Sequence, residues 1–213
     1  MAYNSKKGTS YIVPDKNLCL VPISKNGSTT FRQICDEHGI KYEVKNFIEE
    51  PKILTDNHVI AVVREPIDRF CSGYIEITVR PHDSPKSMEK NFFFIETEPE
   101  RIMSFIEEIS KDFFDTHIEP QMYYLTDEED TLIDIDQWVL LRDMSDEFTE
   151  LLGVPFGKKN ASNHEIKSTF MPPKEEYLEF LEVNTHVKAY LELLYKSDIE
   201  LYNKILQEKD NEN

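Results

Sequence analysis

The chain has 213 residues, of which 39% are hydrophobic and 31% are charged. This length suits one domain, and we predict a single domain over residues 1–213, with its core at 17–206 and a frayed tail at 207–213. The formal net charge of −17 creates a field that repels polyanions. Duplex nucleic acid and heavily sulfated glycans are therefore excluded as main partners.

Neither a membrane span nor a disulfide framework is predicted. The longest apolar runs are far shorter than the roughly 20 residues that cross a bilayer, and no apolar stretch follows the basic residues near the amino terminus. The three cysteines, Cys19, Cys35 and Cys71, are odd in number and widely spaced, so we expect buried thiols in a reducing compartment. The protein is thus expected to be cytoplasmic. No His, Cys and Asp cluster has metal-ligand spacing, so no metal is expected.

Short apolar runs alternate with amphipathic stretches along the chain. This order is typical of an α/β protein with a parallel sheet covered by helices on both faces. Strands are predicted at 11–13, 17–22, 41–47, 57–64 and 137–142. Helices are predicted at 29–38, 66–77, 101–114, 145–152, 174–181 and 185–206.

A polar loop at 22–30 joins a predicted strand to a predicted helix. The amino terminus of a helix has N–H groups without intrahelical acceptors and a partial positive charge, which together bind anions. Gly27 lets the backbone approach an anion closely, and Lys25 adds a full charge. The other candidate ligands in this loop are Asn26, Ser28, Thr29 and Thr30. The lysine precedes the glycine, so the GxxxxGK[ST] nucleotide loop is absent, and an ordinary polar turn is the alternative.

A second candidate anion site follows the predicted strand at 57–64. Arg64 stands at its carboxyl end, where ligands bind in open α/β sheets, and a guanidinium can bind phosphate through two N–H groups. Ser72 lies two turns along the next helix and reaches the same phosphate if that helix packs over the strand. In the alternative, Arg64 and Arg69 form surface ion pairs with nearby acids, namely Glu65, Asp68 or Glu76.

Both segments resemble motifs of the sulfotransferases that use 3′-phosphoadenosine-5′-phosphosulfate (PAPS). The loop at 22–30 is similar to their Lys–x–Gly–[Ser/Thr]–[Ser/Thr] loop, which binds the 5′-phosphosulfate. Residues 64–74 are similar to their 3′-phosphate motif, with Glu65 where the family usually has Asp. The resemblance implies a P-loop-like three-layer sandwich in which helices flank a central parallel sheet.

The same resemblance implies roles for individual residues. Lys25 would contact the bridging oxygen of the phosphosulfate bond that breaks and offset the charge that grows on the leaving phosphate. A preorganised cation aimed at developing charge is usually a large catalytic contribution. Arg64 and Ser72 would bind the 3′-phosphate.

Further segments resemble the membrane-type carbohydrate sulfotransferases. Residues 117–121 are similar to their His–x–x–Pro–Gln element, 138–153 to the strand and helix that follow, and 195–202 to their terminal Tyr–x–x–Asp…Leu–Tyr helix. Asn160 and Ser162 are similar to the Asn–x–Ser loop that closes on the nucleotide. The resemblance covers most of the chain.

Sulfuryl transfer needs a base that takes the proton of the acceptor, and histidine suits this near neutral pH. We select His117 because it lies in a matched motif, although a structural histidine that pins a loop is the alternative. The reserve candidates are Glu119, Glu76, His82 and His164.

The sequence therefore predicts a sulfotransferase that moves the sulfuryl group of PAPS to a hydroxyl or amine by in-line displacement and releases adenosine 3′,5′-bisphosphate (PAP). The expected acceptor is a small alcohol, a neutral sugar, a lipid headgroup or a peptide tyrosine, and not a polyanion. One alternative is a P-loop-like kinase, which the missing Walker A lysine disfavours. The other is a non-catalytic nucleotide-binding module, which the joint presence of Lys25, Arg64 and Ser72 disfavours.

Overall fold

A computed structural model of the chain describes residues 7–79, 98–113, 115–155 and 174–212. The chain forms two compact units. The first comprises Met1–Arg64 and Gln121–Ile166, and the second comprises Glu65–Pro120 and Lys167–Asn213. The single-domain organisation expected from the sequence stays a prediction.

The first unit is built on a five-stranded sheet with the strand order β3-β1-β2-β4-β5. The strands are β1 (Thr9–Val13), β2 (Leu18–Val21), β3 (Glu43–Asn46), β4 (His58–Val63) and β5 (Gln137–Leu140). Strands β2, β4 and β5 run parallel, whereas β1 is antiparallel to both β2 and β3. The predicted α/β class is confirmed, but the wholly parallel sheet is wrong. The turn at Pro14–Lys16 is too short for the crossover that parallel neighbours require, so the chain reverses there.

Helices lie between these strands and after the last one. In chain order they are α1 (Ser28–Glu37), α2 (Lys52–Asp56), α3 (Pro66–Val79), α4 (Glu98–Ile109), α5 (Gln121–Tyr124), α6 (Met144–Leu152), α7 (Lys174–Val183), α8 (Thr185–Leu194) and α9 (Lys196–Glu212). Helices α1, α2, α5 and α6 belong to the first unit, and the others belong to the second.

The core of the first unit lies between one face of the sheet and helices α1 and α6. Alternate residues of the central strands, such as Leu18 and Leu20 of β2, pack with Phe31 of α1 and Phe148 of α6. The rings of Phe31 and Phe148 meet edge to face, with centroids 5.5 Å apart. All residues of β2 are buried, which is why this strand reads as a continuous apolar run and not as an alternating one.

The second unit has an aromatic core. Tyr74 of α3 lies at its centre and contacts Phe105 of α4 and Tyr177 of α7, with ring centroids 4.9 and 5.4 Å apart. Phe70, one turn before Tyr74, packs against Tyr195 at 6.2 Å. Helices α4 and α7 and the residue between α8 and α9 therefore pack against α3 through aromatic rings.

The carboxyl-terminal part of the second unit departs from two predictions. Instead of one helix over 185–206, α8 ends at Leu194 and α9 begins at Lys196, with the fully buried Tyr195 between them. The predicted frayed tail at 207–213 is helical as far as Glu212. Lys204 and Glu208 form an i,i+4 pair at 3.8 Å, which supports the last turns of the helix.

Candidate active site

The loop between β2 and α1 is folded tightly by two residues with left-handed backbone. Lys25 has a φ of 67° and Gly27 a φ of 81°, while the Asn26 N–H donates to the Ile23 carbonyl oxygen at 3.2 Å. This conformation costs a non-glycine residue about 1 kcal/mol or more, so the surroundings must hold Lys25 in place. A Cβ on Gly27 would lie 2.3 Å from Met144 Sδ, so a larger residue would require the Met144 side chain to move and would also keep an unfavourable φ.

Helix α1 begins directly after this loop, and its amino terminus suits an anion. Gly27 occupies the cap position, no described side chain caps the helix, and the first turn carries no acidic residue. The first N–H groups of a helix point out of its end and carry partial positive charge. Ser28 and Thr30 are half-buried and Thr29 is exposed, so the first turn of α1 carries three hydroxyl groups.

Arg64 lies beside this loop. It directly follows β4, which runs parallel to β2, so the carboxyl ends of both strands lie at the same edge of the sheet. Its guanidinium donates through Nη1 to the carbonyl oxygen of Lys25 at 3.1 Å. The structure therefore places the Arg64 guanidinium against the backbone of the loop that carries Lys25, so the two segments that the sequence assigned to separate phosphate motifs are in contact.

Two buried side-chain amides tie the loop to the end of β4. Asn26, which is 2% exposed, donates through Nδ2 to the Val62 carbonyl oxygen at 2.8 Å and to Gln121 Oε1 at 2.6 Å. Gln121 in turn accepts from the Arg64 N–H at 3.0 Å and donates through Nε2 to the Arg64 carbonyl oxygen at 2.9 Å. The Asn26 amide is thus engaged within the protein, and its buried Oδ1 has no hydrogen-bond partner among the described residues.

The other predicted site residues lie in the second unit. Ser72 is half-buried within α3. His117 lies in the turn before Pro120, where Asp115 Oδ1 accepts from the His117 backbone N–H at 2.9 Å and lies 2.6 Å from His117 Nδ1. A carboxylate at Nδ1 selects the tautomer whose Nε2 is unprotonated, which is the form that acts as a base. His117 is 37% exposed at its side chain, whereas Asp115 is only 12% exposed, so the histidine is the accessible member of the pair.

Three contacts fix the backbone of the His117 turn. Tyr195 Oη donates to the Ile118 carbonyl oxygen at 2.6 Å, and Arg69 Nη1 donates to the Glu119 carbonyl oxygen at 2.7 Å. A Cβ on Gly73 would lie 2.4 Å from the His117 carbonyl oxygen, so only glycine allows α3 to pass this close. Burial raises the pKa of Tyr195 far above its ordinary value, which keeps its hydroxyl protonated as a donor.

These contacts overturn one of the alternatives for Arg69. An ion pair at the surface was possible from the sequence, but Arg69 is fully buried. Asp68, one of the acids proposed as its surface partners, pairs with Lys174 at 2.5 Å. Arg69 therefore supports the fold of the His117 turn.

A comparison with protein families decides the class of the protein. The sequence model of the sulfotransferase family matches residues 10–204, which is most of the chain. The chain belongs to the sulfotransferase family. No curated protein matches the sequence, and no solved structure matches it either.

Some predicted site residues of this sulfotransferase lie outside the described residues. They are Asn160 and Ser162 of the nucleotide loop, and the reserve bases His82 and His164. The other reserve bases, Glu76 and Glu119, are half-buried in the second unit. In the part of the chain that the structure describes, no helix has the length and apolar character to cross a membrane, and no group of His, Cys, Asp or Glu is arranged to hold a metal ion.

Sequence reasoning missed two residues that contact predicted site residues, one in each unit. Gln121 was noticed only as the end of the His–x–x–Pro–Gln element, and nothing in that pattern reveals which backbone its amide contacts. Asp115 precedes His117 by two residues. That short spacing is a signal that an Asx turn with an Asp–His pair was possible.

Proposed function

We propose that this sulfotransferase transfers the sulfuryl group of PAPS to a hydroxyl or amine acceptor and releases PAP. The observation that most directly supports this proposal is the contact between Arg64 Nη1 and the Lys25 carbonyl oxygen at 3.1 Å. A guanidinium against the lysine-bearing loop that begins α1 supports a local anion site within a chain whose net charge is −17. A short-range site of this kind is needed because the overall field repels a nucleotide.

The residues of the first unit fit the charged end of PAPS. Lys25 and the first N–H groups of α1 would hold the 5′-phosphosulfate, with Ser28, Thr29 and Thr30 as hydroxyl donors. Asn26 and Gly27 would contribute by shaping the loop. The parallel strands and the flanking helices are consistent with a P-loop-like three-layer sandwich, the fold that the family resemblance implies.

We assign the remaining nucleotide contacts by family resemblance. Arg64 and Ser72 would bind the 3′-phosphate, where a guanidinium and a hydroxyl supply several N–H and O–H donors. Asn160 and Ser162 would belong to the loop that covers the nucleotide. No metal is required for this reaction, since the leaving phosphate is stabilised by the cations of the chain.

The chemical step in this proposal is an in-line displacement at sulfur. The acceptor oxygen or nitrogen forms a bond to sulfur while the bond between sulfur and the bridging phosphate oxygen breaks. Lys25 offsets the negative charge that develops on that oxygen, and His117 takes the acceptor proton on Nε2. Asp115 keeps the Nδ1 proton of His117 in place, so the histidine gains a stabilised positive charge and later releases the proton to solvent.

The acceptor class follows from charge. A net charge of −17 disfavours a heparan-like polyanion, so a small alcohol, a neutral sugar, a lipid headgroup or a peptide tyrosine is proposed. The resemblance of 117–121, 138–153 and 195–202 to carbohydrate sulfotransferases favours the neutral sugar among these.

We also propose a cytoplasmic or otherwise reducing compartment. All three cysteines lie among the described residues, are buried and are not in disulfides. Burial raises the pKa of the Cys19 thiol to about 12 and that of Cys35 to about 11. Such thiols stay protonated and unreactive near neutral pH, as expected of packing residues.

Thermal unfolding with added nucleotide tests the proposal. A ligand that binds only the folded state raises the melting temperature with its concentration, so PAP should stabilise the protein and ATP with magnesium should not. Stabilisation by ATP with magnesium alone would instead indicate a kinase. Binding of PAP without transfer of label from PAPS to any of the four acceptor classes would indicate a non-catalytic module.

A further inference from the structure

We propose that Gln121 is a positioning residue for the donor-binding loop, because its side-chain amide clamps Asn26, and with it the turn that carries Lys25, onto the end of β4. The inference rests on the proposed function, since it assigns Gln121 an effect on PAP binding. Gln121 itself is 1% exposed and needs no contact with the nucleotide.

The backbone of Arg64 fixes the orientation of the Gln121 amide. Gln121 Oε1 accepts from the Arg64 N–H at 3.0 Å, and Nε2 donates to the Arg64 carbonyl oxygen at 2.9 Å. A rotated amide would set donor against donor and acceptor against acceptor. Only one of the two amide orientations is therefore compatible with the end of β4.

The oriented Gln121 amide then fixes Asn26. Gln121 Oε1 accepts from Asn26 Nδ2 at 2.6 Å, and the Val62 carbonyl oxygen accepts from the same nitrogen at 2.8 Å. If the Asn26 amide rotated, its oxygen would face two acceptors. One Asn26 side-chain N–H consequently points at Val62 of β4 and the other at Gln121, and the loop cannot lift from the end of β4 without breaking these bonds.

The clamp acts on the residues with left-handed backbone. Asn26 lies between Lys25 and Gly27, whose φ values are 67° and 81°. Of these two residues only Lys25 has a side chain, which makes a positive φ unfavourable. Its backbone conformation therefore depends on contacts that hold the neighbouring residues. Loss of Gln121 would leave the Asn26 amide and both backbone groups of Arg64 without their buried partner, and buried groups without partners are costly.

The isosteric substitution Gln121→Glu should change PAP affinity in a pH-dependent way that a general loss of stability would not produce. At about pH 8 the ionised carboxylate still accepts from Asn26 and from the Arg64 N–H, but its second oxygen faces the Arg64 carbonyl oxygen. Protonation restores a donor at that position, and burial raises the pKa of such a carboxyl toward neutrality. We expect the Kd for PAP to rise about tenfold or more at pH 8 relative to wild type at the same pH, and to return to within about threefold at pH 6.

Gln137→Ala is the matched control. Gln137 also engages its amide within the first unit, with Oε1 3.0 Å from His58 Nε2 and Nε2 donating to Glu147 Oε2 at 2.5 Å. It is the first residue of β5 and pairs with Ile60, whereas Leu140 at the carboxyl end of β5 pairs with Val63, the neighbour of Arg64. We expect this variant to bind PAP as wild type does, within about twofold.

A double-mutant cycle tests whether Gln121 acts through Asn26. If the two amides form one clamp, the double variant Asn26→Ala with Gln121→Ala loses no more PAP affinity than the weaker-binding single variant. Additive losses would overturn the shared clamp.

Equal PAP affinity of wild type and Gln121→Glu at both pH values, or a loss at pH 8 that does not recover at pH 6, would overturn the positioning role. Failure of wild type itself to bind PAP would overturn the proposed function instead.

Discussion

The Arg64 guanidinium and the Lys25 backbone are joined by a hydrogen bond of 3.1 Å, from Nη1 to the carbonyl oxygen. Lys25 accepts this bond from a backbone that has the left-handed conformation. The hydrogen bond therefore holds the Arg64 side chain against the loop that carries Lys25. Substitutions at the two sites are expected to have different consequences, because only Lys25 is proposed to act on the bond that breaks.

Lys25→Ala should reduce turnover far more than it reduces PAP affinity. The ammonium is proposed to stabilise charge that develops only in the transition state, and loss of one such group costs about 10²–10³-fold in rate. Arg64→Ala should mainly weaken PAP binding, since a phosphate contact is present before and after the reaction. Single-turnover rates with labelled PAPS and calorimetric titration with PAP measure the two effects. Equal losses of rate and affinity in both variants would contradict this division.

Lys25→Gly should be more stable than Lys25→Ala although both lack the charge. At a φ of 67°, alanine keeps the unfavourable contact of its Cβ with the backbone and glycine removes it. We expect a difference of about 1 kcal/mol in the free energy of unfolding, measured by urea denaturation. Turnover should stay low in both variants. A less stable glycine variant would argue against strain at this position.

Asp115 and His117 should behave as one unit in catalysis. His117→Ala is expected to lower the single-turnover rate about 10²–10⁴-fold, and Asp115→Ala is expected to lower it less, because the histidine remains but is no longer oriented. In the His117→Ala background the Asp115 substitution should have no further effect on rate. Neither change should alter the Kd for PAP. A His117→Ala rate near that of wild type would remove His117 as the base.

The stability of the first unit should fall at alkaline pH because of Cys19. Burial raises the pKa of this thiol from 9.0 to about 12, so between these values the folded state keeps a proton that the unfolded state releases. The free energy of unfolding should then fall by up to about 1.4 kcal/mol per pH unit. Cys19→Ala should flatten this dependence, as measured by urea denaturation at several pH values.

Cys35 supplies the comparison for that experiment. Burial and the nearby Asp36 raise its pKa from 9.0 to about 11, so Cys35→Ala should flatten the dependence over a narrower pH range. An unchanged slope in Cys19→Ala would mean that other groups cause the alkaline loss of stability.

Local sequence determined most of the secondary structure and the anion-binding character of the loop. The apolar run at 58–63 is a strand because β-branched side chains suit a sheet that is buried on both faces, and that strand is β4. Phe31, Ile34 and Cys35 recur at helical spacing and form the buried face of α1. Gly39, with a φ of 65°, follows the end of this helix, as expected of a glycine that terminates one. Such features depend on neighbours along the chain, which a sequence displays directly.

Only the tertiary structure decided which distant polar groups meet. The burial of Arg69 and the bond between Asn26 and Gln121 at 2.6 Å have no local signature. Asn26 and Gln121 are separated by 95 positions, and any exposed asparagine or glutamine reads the same in the sequence. Hydrogen bonds of this kind are directional and short-ranged, so their partners are known only once the strands and helices have packed.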